Sequence, residues 1–293
     1  MYPTGKDSFK ILAPVALDSV NEEEILLSLH HLLKALQGER SLRLYHVISP
    51  DRIRLAPLRG ESFLHQLEIA TRQAQEKLQV YVSTLREKVP PEVNIEYHIE
   101  SHEVAAPAEE IEAHLQSESF SLLVVVFKQR KRWERFFGTT ALWDLVENTT
   151  IPLLLLPAPF SISPRRILWL SSMETENFSF LAPLVSFIRR LKGTLYCAKI
   201  STPSHFTTHR TFQRQVLEMC DYIIEHIDPD FVPEECILYA DKDLSEGALH
   251  VAQDFLMDIT ALSAEEALNE WKAIDRLLSH QMPVLLLRSA SHH

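Results

Sequence analysis

PAPFSISPRRILWLSS, residues 157–172, decides the fold, because one structural pattern ends in it and a similar pattern begins again. Its first eight residues contain three prolines and show no helical period, which is typical of a linker. The RRILWLSS that follows resembles FKILAPVA at residues 9–16. We therefore predict two copies of one unit, a domain at 1–157 and a shortened domain at 165–293, with a linker at 158–164.

Two further matches support the repeat. VSFIRRLKGTLYCAKISTP at residues 185–203 matches HHLLKALQGERSLRLYHVISP at 30–50, and in both a helical segment ends at a glycine before a strand. MPVLLLRS at 282–289 matches IPLLLLPA at 151–158. The second copy is shorter mainly between its second and fourth strands.

Apolar runs alternate with segments of helical period along the first copy, in the order βαβαβαβαβ. The run at 121–127 is almost continuously apolar, as expected for a strand of a parallel sheet that is covered on both faces. The predicted fold class is α/β, with two tandem doubly wound parallel-sheet domains. In the second copy we predict a strand near 255–260 and a helix at 264–279.

Length, charge and cysteine content limit the possible functions. A chain of 293 residues favours two domains, and a formal net charge of -11 argues against a general nucleic-acid binder. The longest aliphatic runs are too short to span a bilayer, so we predict no membrane partner. Cys197, Cys220 and Cys236 are widely spaced and odd in number, which indicates free thiols in a reducing compartment, and hence a cytoplasmic protein.

Glycine is scarce, with six in the whole chain and none between Gly60 and Gly138. A phosphate-binding loop needs several glycines close together, because its backbone approaches the ligand and adopts positive φ. The sequence has no such cluster.

The chain resembles the universal stress protein family at several of these points. The domain of that family opens with a strand of the type I-L-V-P-V-D, where residues 11–16 read ILAPVA, and His46-Val47 matches the His-Val that ends its second strand. Residues 122–156 correspond to its fourth strand, glycine loop, helix and last strand. The resemblance implies a Rossmann-like fold of the adenine nucleotide alpha hydrolase type and a non-enzymatic role in stress response or regulation. It also implies that the two copies pair through their last strands, with homodimerisation beyond that.

Members of the family that bind ATP resemble the pattern G-x2-G-x9-G-[S/T] after the fourth strand, and its last pair begins a helix whose amides face the phosphates. Gly138-Thr139 matches that last pair, but the two earlier glycine positions fall on Lys128 and Val125. The first-strand Asp of such members falls on Ala16. The resemblance therefore implies that this chain has lost the triphosphate site, and we predict no cofactor.

The equivalent stretch of the second copy, TALSAEEALNEWKAI, has no glycine and carries Glu265, Glu266 and Glu270. Carboxylates at these positions would repel a triphosphate. We predict that the second domain does not bind ATP in the family's mode.

The alternative is a nucleotide-binding module that uses the first domain alone, with possible slow hydrolysis of ATP. The resemblance then places backbone atoms of Val47 near the base. The residues that would meet phosphate are Lys128, Arg130, Gly138, Thr139 and Thr140. A third class is an enzyme of another α/β family, since fold alone does not exclude it.

Several features have simpler structural interpretations. Gly138-Thr139-Thr140 is also typical of the start of a helix with a threonine N-cap. The basic cluster that begins at Lys128 binds a phosphate, a nucleotide or an acidic partner, or else it is a solvated loop; its members are Lys128, Arg130, Lys131, Arg132 and Arg135.

The histidines and cysteines show no spacing typical of a catalytic or metal site. No zinc-type histidine pair has a third ligand at a suitable distance in the sequence. Cys220 and His226 are six residues apart, too far round a helix to hold thiol and imidazole together. We predict neither a metal site nor catalytic residues.

Overall fold

The computed structural model describes residues 8–17, 22–48, 63–101, 107–128, 141–171, 178, 180–265 and 271–288. Strands and helices alternate within each half of this part of the chain, and the last strand of the first half is followed directly by the first strand of the second. In the first half the strands are β1 (Phe9–Pro14), β2 (Arg40–Ile48), β3 (Val93–Ser101), β4 (Leu122–Phe127) and β5 (Leu153–Pro157), and the helices are α1 (Glu22–Ala35), α2 (Phe63–Lys88), α3 (Pro107–Ser117) and α4 (Ala141–Asn148).

The second half repeats this alternation. Its strands are β6 (Arg166–Leu170), β7 (Thr194–Ser201), β8 (Glu235–Ala240), β9 (Ile259–Ser263) and β10 (Val284–Leu287), and its helices are α5 (Leu181–Leu191), α6 (His209–His226), α7 (Leu244–Asp254) and α8 (Trp271–Ser279).

All of these strands form one ten-stranded sheet of order β3-β2-β1-β4-β5-β10-β9-β6-β7-β8. Pairing is parallel within each half, and each half has the same internal order when it is read from its own edge strand, β3 or β8. The predicted α/β class with doubly wound parallel sheets is confirmed.

Helices cover both faces of the sheet, which explains why the central strands β4, β5 and β10 are apolar at almost every position. In β4, alternate residues enter two separate cores, Val124 and Val126 on one face and Leu123 and Val125 on the other. We call the first the α1 face, which carries α1, α2, α5 and α6, and the second the α3 face, which carries α3, α4, α7 and α8. Full burial of such a side chain contributes about 1.5–3 kcal/mol.

The two helix-to-strand turns that repeat in the sequence are closed differently. After α1, Gly38 takes a φ of 80°, which glycine adopts without strain. After α5, Lys192 takes the left-handed conformation instead, at a φ of 50°. The next residue is Gly193, where a Cβ would lie 2.8 Å from the carbonyl oxygen of Arg165. That collision explains why the position is a glycine.

The two halves meet through their last strands. β5 and β10 pair antiparallel, with Leu154 opposite Leu285 and Leu155 opposite Val284. On the α3 face the rings of Trp143 and Trp271 make an edge contact with centroids 6.3 Å apart. Both hydrophobic cores contain residues of both halves, so the core is continuous across this join.

Segment 158–165, most of which is the predicted linker, contains no helix or strand but is held against the first half. Phe160 is buried, and its backbone N–H donates to Oγ of Ser28 on α1 at 2.9 Å. Ala158 N–H donates to the carbonyl of Phe127 at 2.9 Å. The division into domains on either side of this segment stays a prediction.

The strand predicted near 255–260 lies later in the chain, at Ile259–Ser263. Helix α7 continues to Asp254, and a turn with Leu256 at a φ of 51° follows it. That turn is closed by a hydrogen bond from Met257 N–H to the carbonyl of Ala252 at 2.8 Å. The apolar residues at 255–257 therefore close a helix rather than begin a strand. Of the predicted helix 264–279, the structure has α8, while 266–270 lie outside the described residues.

Candidate functional site

The carboxyl edge of the sheet between β1 and β4 is the place where this topology forms a binding crevice. Strand order reverses there, because β1 leads to β2 on one side and β4 leads to β5 on the other. In open α/β sheets, ligands bind outside the carboxyl ends of the strands at such a switch point. The described residues at this edge include residues 15–17 after β1, the end of β2, Lys128 after β4, and the first turn of α1.

Lys128 forms an ion pair with Glu24 at the crevice. Its Nζ lies 2.7 Å from Oε1 of Glu24, which joins the end of β4 to the first turn of α1. The two side chains are 38% and 32% exposed, so solvent screens the pair only in part. The cation that would meet phosphate is thus already bound to a carboxylate of the same chain.

The amino end of α1 carries negative charge. Glu22, Glu23 and Glu24 occupy its first turn, where the helix dipole favours anions. Lys77 of α2 contacts this end, since its Nζ donates to the carbonyl of Leu17 at 2.8 Å and lies 3.5 Å from Glu22 Oε1. The crevice beside the end of β4 is therefore bordered by carboxylates on its α1 side.

The predicted binding residues fall into two sets, those that the structure describes and those that lie outside the described residues. The side chain of Val47 is 2% exposed and packs in the core of the α3 face, but the residue lies beyond Tyr45, the last β2 residue that pairs with β1. Its backbone is thus at the crevice. The remaining candidates, Arg130, Gly138, Thr139 and Thr140, lie outside the described residues.

The two positions where the ATP-binding pattern requires its first glycines are described. Val125 lies inside β4, fully buried and paired with Leu155 of β5. Lys128 directly follows the end of β4. A glycine at the place of Val125 would lie inside a strand rather than in a loop.

The second half has polar residues at the equivalent edge, which the sequence did not indicate. Ser171 N–H donates to the carbonyl of Ala198 at 3.1 Å, as Val15 N–H donates to the carbonyl of Tyr45 at 2.8 Å in the first half. Lys199 is buried on β7, and its Nζ donates to Oε1 of Gln215 on α6 at 3.2 Å. The Lys199–Gln215 hydrogen bond joins α6 to the sheet.

A cluster of titratable side chains lies on the α3 face beside the edge strand. The rings of His98 on β3 and His114 on α3 stack with centroids 4.8 Å apart, and each also stacks on Tyr45. Arg43 lies 2.7 Å from Glu96, and its Nη1 lies 3.0 Å from Nε2 of His114. Among the described residues, no group of three His, Cys, Asp or Glu side chains could hold a metal ion.

Around His114, burial is the largest factor that lowers the pKa, and the neighbouring His98 and the Arg43 guanidinium lower it further. Two carboxylates raise the pKa of His114 without reversing the shift. They are Glu118, which pairs with Arg43, and Glu100, which pairs with His98. His114 is therefore neutral in the folded protein at a pH where it is charged in the unfolded chain.

Because of His114, the free energy of unfolding is expected to decrease as the pH is lowered. Below the ordinary histidine pKa, about 6.5, the unfolded chain binds a proton that the folded protein resists, and the loss continues until the pH reaches the folded pKa. His114→Gln is expected to flatten this slope, which urea unfolding at pH 5 to 8 would measure. The exposed His209→Gln is the matched control, and equal slopes in wild type and His114→Gln would contradict the prediction.

Comparison with known proteins agrees with this architecture. Residues 10–157 match the model of the universal stress protein family. The structure is similar to that of a universal stress protein from Archaeoglobus fulgidus, with a TM-score of 0.65 at 13% identity over 97% of each chain. It is also similar to a functionally unknown protein from Pseudomonas aeruginosa PAO1, with a TM-score of 0.56 at 14% identity over 96% of this chain and 92% of that one. A putative universal stress protein from P. aeruginosa UCBPP-PA14 gives 0.57 at 14% identity, over 95% and 92%.

At these identities the structural similarities show the fold alone. A search of curated proteins finds no match. In the part of the chain that the structure describes, no helix has the length and apolar character needed to cross a membrane.

Proposed function

Because the chain belongs to the universal stress protein family, we propose that it is a non-catalytic regulatory protein of the stress response that does not hold ATP in the family's mode. The observation that carries this proposal is the ion pair between Lys128 and Glu24 at 2.7 Å. It places a carboxylate of the chain against the cation at the crevice where a nucleotide phosphate would bind.

Electrostatics supports the loss of the triphosphate site. A phosphate bound by Lys128 would meet the carboxylate of Glu24, which lies 2.7 Å from the Lys128 ammonium, with Glu22 and Glu23 in the same helical turn. Two unit charges 4 Å apart interact by about 4 kcal/mol at the effective dielectric constant near a protein surface, so each such carboxylate opposes binding. The helix dipole, which contributes about 0.3–1 kcal/mol, is too weak to compensate.

Backbone geometry supports it as well. A loop that wraps phosphates needs glycines where the chain approaches the ligand. Val125 occupies one of those positions within a fully buried strand, and Lys128 occupies the other. The competing function, a nucleotide-binding module of the first half, would rely on the backbone of Val47, the one candidate whose described position favours it.

Thermal unfolding with Mg-ATP tests the proposal. A ligand at about 100 times its Kd adds roughly 2.7 kcal/mol to the native state, which shifts the melting temperature by several degrees. We expect no shift for the wild-type chain at millimolar Mg-ATP. Calorimetric titration of the same sample should release no binding heat.

The matched variant is Glu24→Gln, which removes the carboxylate that pairs with Lys128 and keeps the shape of the side chain. A shift that appears only in Glu24→Gln would support the electrostatic argument. A shift in wild type that Arg130→Glu abolishes would refute the proposal and identify the basic cluster as a phosphate site.

We also propose that the two halves serve each other as partners through β5 and β10, which is supported by their antiparallel register. These strands lie in the interior of the sheet, with β4 and β9 on their other sides. A homodimer, which the family resemblance leads us to expect, would therefore use another surface. Sedimentation velocity distinguishes a monomer from that dimer.

A cytoplasmic location belongs to the same proposal. It is supported by Cys197, Cys220 and Cys236, all of which are free thiols. Reduced cysteines are typical of cytosolic proteins. Fractionation of the source cells, with detection by antibody, would test this location.

A further inference from the structure

The structure brings together three cysteines that the sequence holds far apart. Cys197 on β7 and Cys236 on β8 are direct partners in the parallel register of the two strands. Both side chains belong to the α1 face, where Cys220 of α6 also packs. The three residues come from two neighbouring strands and the helix that covers them.

The side chains of Cys197 and Cys236 are neighbours on the same face of the sheet. Interaction with the Cys197 thiol is the main factor that lowers the pKa of Cys236. Burial raises the pKa of Cys197, whose thiol donates to Sδ of Met219 at 3.7 Å. Burial likewise raises the pKa of Cys220, to about 11. The three thiols are thus unequal, and Cys236 is the one that ionises most readily.

Cys236 is also more accessible to solvent than Cys197. Cys236 lies on β8, the edge strand of the second half, and is partly exposed. Cys197 lies on an interior strand and is fully buried. A small oxidant therefore meets Cys236 more readily than Cys197.

We propose that Cys236 and Cys197 form a dithiol that hydrogen peroxide oxidises to a disulfide. The Cys236 thiolate attacks one peroxide oxygen, the O–O bond breaks, and the departing hydroxide takes a proton to become water. Cys236 is then a sulfenic acid. The sulfur of Cys197 attacks the sulfur of Cys236, an S–S bond forms, and the hydroxyl group leaves with the Cys197 proton as a second water. In total, two thiols and one peroxide give one disulfide and two waters.

Cys197 is the resolving thiol rather than Cys220 because of strand geometry. Paired residues of adjacent strands have Cα atoms about 4.8 Å apart, inside the range of about 4.4–6.8 Å that disulfides occupy. Both side chains lie on the same face of the two paired strands, so the S–S bond can close without movement of α6.

The first experiment needs no variant. The folded protein is treated with hydrogen peroxide, its remaining thiols are blocked with iodoacetamide under denaturing conditions, and non-reducing peptide mass mapping follows. We expect a peptide pair cross-linked between Cys197 and Cys236, which dithiothreitol separates by reducing the disulfide, and one alkylated thiol, at Cys220. Three alkylated thiols after peroxide treatment, or a cross-link between Cys220 and Cys236, would overturn the proposal.

Variants separate the two steps. Cys197→Ala is expected to retain the sulfenic acid on Cys236, which dimedone traps, whereas Cys236→Ser is expected to stop peroxide consumption. Cys220→Ser is the matched control and should form the disulfide at the wild-type rate. Circular dichroism confirms that each variant is folded. A Cys236→Ser protein that still loses two thiols, or a Cys197→Ala protein with no dimedone adduct on Cys236, would contradict the assignment.

Reaction rate in the reduced protein gives an independent readout. The pKa of Cys220 is about 11 and that of Cys236 is below the usual value of 9.0. The thiolate fraction near neutral pH therefore favours Cys236, and the lower intrinsic nucleophilicity of a more acidic thiol offsets only part of this difference. Iodoacetamide should thus label Cys236 faster than Cys220, and equal rates would contradict the proposal.

Discussion

Leu285→Asp is expected to abolish folding of the chain. Leu285 is fully buried at the join of the two halves, opposite Leu154 and beside Ala261 of β9. The substitution loses the burial of the leucine, about 1.5–3 kcal/mol, and places a carboxylate without a cation in the core at a cost of several kcal/mol. Since whole domains are stable by only about 5–15 kcal/mol, little remains. Circular dichroism and urea unfolding would measure the loss of a cooperative transition.

Two companion variants make this test quantitative. Leu285→Ala should remain folded and lose about 2–5 kcal/mol of unfolding free energy, in one transition, because both cores run across the join. Leu217→Asp, on the exposed side of α6, should change stability by less than about 0.5 kcal/mol. If Leu285→Asp left one half natively folded, the two halves would be independent folding units.

Tyr45→Ala should have the second largest effect, a loss of about 3–5 kcal/mol. The ring of Tyr45 is fully buried on the α3 face and stacks on His114, with centroids 4.6 Å apart. Its hydroxyl donates to the carbonyl of Glu110 at 3.2 Å, which fastens α3 to the sheet. Removing the ring leaves a cavity between β2 and α3, and hydrogen exchange of the α3 amides should accelerate more than that of α1.

Tyr45→Phe is the matched control, because it keeps the ring and removes the hydroxyl alone. We expect it to lose about 0.5–1.5 kcal/mol, the usual net contribution of a hydrogen bond. Urea unfolding of the two variants at pH 7.5 separates the contribution of ring packing from that of the hydroxyl. Equal losses in both variants would mean that the hydrogen bond, rather than packing, holds α3 in place.

The architecture could be predicted because it depends on local patterns. The run Leu122–Phe127 is apolar at every position since helices cover both faces of β4, and its six residues are all buried. The α1-to-β2 turn was readable from Gly38, whose positive φ favours glycine. The position of β9 was not readable, because Phe255 and Met257 are apolar in either a strand or a helix-closing turn, and only tertiary contacts choose between the two.

The contacts at the candidate site could not be predicted, because they join residues far apart in the chain. Lys128 and Glu24 are separated by 104 positions, and neither has a neighbouring residue that indicates the other. The same is true of Cys197 and Cys236, whose proximity depends on the register of β7 against β8. A one-residue shift of that register would turn the side chain of Cys236 to the opposite face.

The central position of β5 and β10 has a consequence for the behaviour of the protein among its relatives. Proteins that associate through an open terminal strand can exchange subunits, so related chains in one cell form mixed assemblies. Here each terminal strand is bonded on both sides within one molecule, between β4 and β9. The two halves of the chain therefore stay paired one to one at any protein concentration. Related proteins cannot displace either half without unfolding the sheet.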